Sequence, residues 1–206
     1  YDMMEIDPSL VPDLEGAEGV EIYSGGFLLE PIHIGFNTRF EEGSLPPEDT
    51  IGPEFFQDPR IRQAFNLTFD YQGFIDGALG GLGGGVPHYF PQGMLGYSED
   101  YPVYEQDLAA AQALFEEAGV WDEGFTVSVI AEEGNLFEVA SLVLQDSMAA
   151  LNPAFEIRVL AQAESQFDEA HGSDPIPYAL WAKNADPFAD PAALMNAYIH
   201  PDGEWG

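Results

Sequence analysis

Cysteine is absent from the 206 residues, which excludes disulfides, zinc–thiolate sites and cysteine nucleophiles together. Basic residues are nearly as scarce. Five Lys and Arg stand against 37 Asp and Glu, for a formal net charge of −32. Such a chain repels phosphate backbones, so nucleic acid is excluded as a partner, and anionic membrane surfaces are disfavoured. No apolar run of about 18 residues is present, so no membrane-spanning helix is expected. Tyr1 to Leu10 carry three acids and no base, unlike the start of a signal peptide. The chain is therefore expected to begin inside something longer, with any signal segment elsewhere, and His200 to Gly206 end without a helix stop.

Apolar residues make up 46% of the chain, enough for one domain with a sizeable core. The acids are scattered rather than blocked, which fits a solvated surface suited to salt better than a disordered acidic tail. Val20–Tyr23 and Ile32–Asn37 read as short strands. A Pro- and acid-rich connector fills 41–59. Asp58 then caps a helix with Pro59 in its first position, and Ile61, Ala64, Phe65 and Phe69 form the inward stripe. Asp70 restarts a helix through Phe74, Ile75 and Leu79. A glycine run, 80–85, leads into a Pro-, Gly- and aromatic-rich loop that reaches Tyr104.

Asp107 caps a helix with Leu108, Ala111, Leu114, Phe115 and Ala118 inward and Gly119 as its stop. Phe125–Ile130 and Phe155–Leu160 alternate as strands. Between them Asn135–Leu151 is a helix with Leu136, Ala140, Val143, Leu144 and Met148 on one face. A short acidic helix follows near Ser165–Ala170, then a strand over Ile176–Trp181, and Asp190-Pro191 opens a last helix through Leu194 and Tyr198. Strands joined by helical crossovers predict an α/β fold with a mainly parallel sheet. In such sheets ligands sit beyond the carboxyl ends of strands, which directs attention to the segment after Trp181.

Several motifs fail on inspection. The glycine run lacks dinucleotide spacing, follows a helix and has no Lys-Ser/Thr after it. His33, His88, His171 and His200 have no metal-ligand spacing, so no metal or cofactor is expected. Adjacent His171, Ser173 and Asp174 cannot converge as a triad, and no nucleophile elbow occurs. Asn66-Leu67-Thr68 matches a glycosylation acceptor but falls mid-helix. What remains is the stretch Trp181-Ala-Lys183-Asn184-Ala-Asp186-Pro-Phe-Ala-Asp190-Pro191. Asp190 fits an N-cap before Pro191, whereas Asp186 has no such role. The candidate ligand-binding residues are Trp181, Lys183, Asn184, Asp186 and Asp190. Trp181 would serve as a stacking wall and Asp186 as a carboxylate for a ligand's ammonium group. An acid-pair hydrolase using Asp186 and Asp190 would need an orienting base or oxyanion donor that is not visible, so no catalytic residue is assigned.

The sequence resembles a known family. Phe36-Asn37-Thr38, followed by Asp58-Pro-Arg60-Ile-Arg62-Gln63-Ala64 and Asp70, is similar to the signature of the oligopeptide- and dipeptide-binding proteins, solute-binding family 5. Val86-Pro87 through Pro91-Gln-Gly93 and Gly96-Tyr97 resemble that family's Pro- and Gly-rich loop. Tyr104 to Gly119 resembles its Tyr-to-Gly helix block, and Trp181 to Tyr198 its Trp-x-x-Asp loop, lengthened here.

The resemblance implies a type II periplasmic-binding-protein fold, of which this chain is the C-terminal lobe: a mixed, mainly parallel sheet flanked by helices. Residues 1–25 would be a crossover from an N-terminal lobe and 26–206 the ligand-binding lobe, truncated at both ends. It also implies an extracytoplasmic, periplasmic or lipid-anchored, monomeric protein. That protein would bind a small solute, an oligopeptide or dipeptide first, and hand it to an ABC permease. A sugar, a nickel chelate or a sensory role on the same fold are the alternatives. In the peptide binders the loop's acid holds the ligand's amino terminus. The family position three residues after Trp falls on Asn184 here, Asp186 matches the ligand acid, and Asp190-Pro191 matches the following Asp-Pro. Arg62 is expected to pair with an acid inside the lobe.

Overall fold

A computed structural model describes residues 4, 6, 10–23, 31–85, 90, 92–173, 176–184, 190–198 and 200. In chain order the elements are α1 (Val11–Leu14), β1 (Ile32–Phe36), a single 3-10 turn (Phe55–Gln57), α2 (Pro59–Thr68), α3 (Tyr71–Ala78) and α4 (Leu108–Glu117). Then come β2 (Phe125–Glu132), α5 (Leu136–Leu151), β3 (Phe155–Gln162), α6 (Glu164–His171), β4 (Leu180–Asn184) and α7 (Pro191–Tyr198). The chain divides into two units. One comprises Ile32–Asp70 and Tyr104–Ala185, and the other Tyr1–Pro31, Tyr71–Val103 and Asp186–Gly206.

The first unit holds the sheet, in the order β1-β4-β2-β3. β2 runs parallel to β3 and to β4, while β1 is antiparallel to β4. The expected mixed, mainly parallel α/β sheet flanked by helices is what forms. β2 pairs with β3 along its whole length but meets β4 only at Val129–Leu180 and Ile130–Trp181. The start of β2 would be left with open backbone groups, and the acid-rich connector fills that gap. Thr50 exchanges hydrogen bonds with the Thr126 backbone at 2.9 Å. Asp49 accepts from the Ser128 amide at 3.1 Å and its hydroxyl at 2.6 Å. Burial holds the Asp49 carboxyl above its ordinary range despite these bonds. Glu48 pairs with Arg158 at 3.0 Å.

The helices start where local chemistry tells them to. The Asp58 carboxylate accepts from the Arg60 amide at 2.8 Å, with Pro59 in the first turn. Asp107 caps α4 through the Ala110 amide, and Asn135 caps α5 through the Phe137 and Glu138 amides. Gly119, at φ 79, ends the α4 region in a conformation that L side chains rarely adopt. Arg60 also donates to the Glu117 carbonyl at 2.8 Å, tying the start of α2 to the end of α4.

One face of the sheet carries the main core. Val127, Val129, Ala131, Ile157, Leu180 and Ala182 pack there against α2, α4 and α5. Its centre is aromatic: Phe125 stacks on Phe155 at 4.4 Å, and Phe65 lies 5.3 Å edge-on from Phe56. Such pairs contribute roughly 0.5–1.5 kcal/mol each beyond area burial. On the opposite face, Ile130 and Trp181 pack with Phe167 of α6.

Four expectations are corrected. Residues 20–23 form no strand; Val20 and Tyr23 are 46% and 82% exposed, so there is no buried face to drive pairing. Leu108 is exposed rather than inward, because it sits in the first turn of α4, ahead of the buried Ala111 and Phe115. The strand expected over Ile176–Trp181 runs instead over Leu180–Asn184, since its start is held by a side chain of β1's end, as described below. Arg62 pairs with no acid among the described residues. Its guanidinium donates to the carbonyls of Phe56 and Gln57, fastening the 3-10 turn to α2.

The second unit is helical among its described residues. It contains α1, α3 and α7, with Phe74 and Leu194 buried. Residues 92–96, 99 and 100 form turns and bends, and residues 86–89 and 91 of the predicted loop lie outside the described residues.

Candidate functional site

Trp181, Lys183 and Asn184 all lie on β4, Trp181 as its second residue and Lys183 and Asn184 as its last two. Position along the strand sets where each one points. The register pairs Gly35 with Trp181 and His33 with Lys183, and alternation puts these four on the sheet face that α6 covers. Trp181 is only 7% exposed. Its indole lies across Gly35 so closely that a methyl group there would come 2.3–2.6 Å from Cε2, Cζ2 and Nε1. The other side of the ring meets α6, where the His171 imidazole is 5.6 Å away, edge to face, and stacks on Phe167 at 5.5 Å. Lys183 and Asn184 are half-buried.

His171 is buried, at 3% exposure. Burial first, then the charges of Lys183 and His33, push its pKa down to about 4. It is therefore a neutral ring at ordinary pH. At the carboxyl end of β2 next door, burial and then Glu164 and Asp168 of α6 hold the Glu132 carboxyl above its ordinary range.

The entry to β4 is fixed from β1. Asn37, the residue after β1, donates its side-chain amide to the carbonyls of Tyr178 at 3.2 Å and Ile176 at 3.4 Å, and its backbone amide to Ala179 at 2.9 Å. The chain is thus delivered to Leu180 in one register, with Trp181 inward. Tyr178 accepts at its hydroxyl from Gln162 of β3 at 3.0 Å.

Asp190 belongs to the other unit. Its carboxylate accepts from the Ala192 amide at 2.9 Å and it opens α7, the N-cap geometry that Asp-Pro predicts. Asp186, the candidate ligand acid, lies outside the described residues. No His, Asp or Glu cluster among the described residues has the arrangement of a metal site. Shallow depressions of about 330 and 340 Å³ open beside Trp121 and beside β3, and neither is lined by a candidate residue. Sequence reasoning missed His33, Gly35, Asn37 and His171 as shapers of this strand end. Asn37 stood in plain view within the Phe36-Asn37-Thr38 block, and His171 lies four residues after Phe167, on the same helical face.

Comparison with known proteins agrees with the fold and places the chain. The structure matches the ABC transporter substrate binding protein CtaP of Listeria monocytogenes with a TM-score of 0.78 at 16% identity, covering 97% of this chain and 38% of that one. It matches the oligopeptide-binding protein AppA of Bacillus subtilis, solved with a nonapeptide, with a TM-score of 0.72 at 17% identity, covering 90% and 36%. In sequence it is 28% identical over 142 residues to the Probable D,D-dipeptide-binding periplasmic protein DdpA of Escherichia coli, covering 69% of this chain and 27% of DdpA. The chain thus spans well under half the length of these relatives. The model of the bacterial extracellular solute-binding proteins, family 5 Middle, matches residues 1–205, and the chain belongs to that family.

Proposed function

We propose that this protein is the substrate-binding component of an ABC importer, that it captures a short peptide outside the cytoplasm, and that it delivers it to a membrane permease. The observation that carries this reading is the family match over residues 1–205, with a dipeptide-binding relative at 28% identity over 142 residues. In this reading the chain supplies one lobe, and the ligand is enclosed against a second lobe of the same polypeptide by hinge closure. Asp186 receives the peptide's ammonium group. Lys183 and Asn184 present polar groups at the end of β4, Trp181 packs on the same sheet face as Lys183, and Asp190 holds the start of α7. The protein acts as a monomer and performs no chemistry on its ligand.

The test is calorimetry on the full-length protein with a panel of dipeptides, beside native mass spectrometry of material purified without refolding. A dipeptide should bind, and Asp186→Asn should weaken it about 10- to 100-fold, the loss of one hydrogen bond to a charged group. A co-purified sugar or metal chelate, with no peptide binding, would replace the ligand class. Peptide turnover that disappears in Asp186→Asn would replace the binding role altogether.

A further inference from the structure

We propose that Gly35 is a positioning residue for ligand binding: its missing side chain is the slot in which Trp181 lies, and through Trp181 it sets the carboxyl end of β4. The backbone itself does not require glycine here, because Gly35 is not in the left-handed region. What requires it is the indole. A Cβ at residue 35 would meet three ring atoms at 2.3, 2.4 and 2.6 Å, distances at which something must move. Retreat in the other direction is blocked by His171 and Phe167 of α6, with Ile130 of β2 in the same cluster. Interiors packed to this density transmit such a displacement rather than absorb it. The outlet is along β4: Lys183 is the next residue on the same face, its register partner His33 precedes Gly35 by two on β1, and Asn184 is its neighbour in the chain. This inference rests on the reading of that strand end as ligand-facing.

The experiment uses four versions of the full-length protein: wild type, Gly35→Ala, Trp181→Leu and the double variant. Alanyl-alanine is titrated into each by calorimetry, and the Trp181 indole and the Lys183 and Asn184 amides are followed by NMR. Trp181→Leu assigns the indole signal. Gly35→Ala should shift that indole and both amides and weaken alanyl-alanine at least about 10-fold. The double variant, with room for the new methyl group, should bind more tightly than Gly35→Ala alone. If Gly35→Ala does not fold, the double variant still should, and failure of both refutes the proposal. An unmoved indole, affinity within about two-fold of wild type, or single-variant losses that simply multiply would each overturn it. If wild type takes up no alanyl-alanine, it is the peptide reading that fails, and the indole and amide shifts still decide whether Gly35 sets the strand end.

Discussion

His171 offers a test of the packing beneath β4 that does not depend on any ligand. The imidazole is 3% exposed and lies between Phe167 and Trp181, near Lys183 and His33, and its pKa is pushed down to about 4 from an ordinary 6.5. The unfolded chain takes up this proton near pH 6.5, and the native state takes it up only near 4. Between those values the unfolded state binds more protons, so stability rises with pH across the window. The contribution is complete above about 6.5, is lost progressively as pH falls toward 4, and stops changing below that. At about pH 4.5 the loss is about 2–3 kcal/mol, two pH units at 1.36 kcal/mol each. The many carboxylates work in the opposite sense, since protonating them relieves self-repulsion. A difference measurement separates the two effects. Urea unfolding of wild type and His171→Leu, followed from about pH 7.5 to 4.5 at fixed ionic strength, should show wild type losing about 2–3 kcal/mol relative to the variant. A stability difference constant to within about 0.5 kcal/mol over that range would refute the burial of a neutral imidazole under Trp181.

Three further outcomes follow from the described packing. Asn37→Ala removes the amide that holds the Ile176 and Tyr178 carbonyls; it should cost about 1–3 kcal/mol in urea unfolding and raise hydrogen exchange at the start of β4. Phe65→Ala, in the centre of the aromatic cluster, should cost about 3–5 kcal/mol, read from the same unfolding curves. The net charge of −32 predicts that salt stabilises the protein: raising KCl from about 0.1 to 2 M should lift Tm by roughly 5 °C or more, the equivalent of about 2 kcal/mol of screened repulsion in a chain this size. A Tm that is flat or falling would show that repulsion among the acids does not limit stability.

Helix starts were legible because capping is a local matter. Asp58-Pro59, Asp107 and Asn135 each place an acceptor beside amides two or three residues ahead, and no distant residue is consulted. The parallel pair β2–β3 was legible for a related reason: two alternating strands with a helix between them admit few arrangements. What the sequence hid depends on partners far along the chain. β4 begins at Leu180 rather than Ile176 because Asn37, some 140 positions earlier, takes the preceding carbonyls. Arg62 reads as an ion-pair residue in so acidic a chain, yet the nearest groups in need of a donor are two carbonyls at the end of a 3-10 turn. Residues 20–23 have strand composition but no buried face.

The candidate site shows the same division. Its residue types on β4 were readable as a short run, and β1 was readable as a strand, but the pairing of the two that positions them was not. Phe36 joins the core while its neighbours Gly35 and Asn37 act on β4, one by leaving room for the indole and the other by clamping the entry. A motif that reads as a family mark therefore has a mechanical content: it fixes the register of a strand whose last residues carry the chain's single lysine. That lysine is half-buried on the sheet face of a buried histidine, and its charge helps keep the imidazole neutral. Removing the charge without removing the packing, as in Lys183→Met, should then raise the pKa of His171 toward its ordinary value while leaving the Trp181 indole in place. NMR titration of the ring reads the first effect and the indole signal the second. An unchanged His171 pKa would mean that burial alone sets it and that Lys183 points away from the ring.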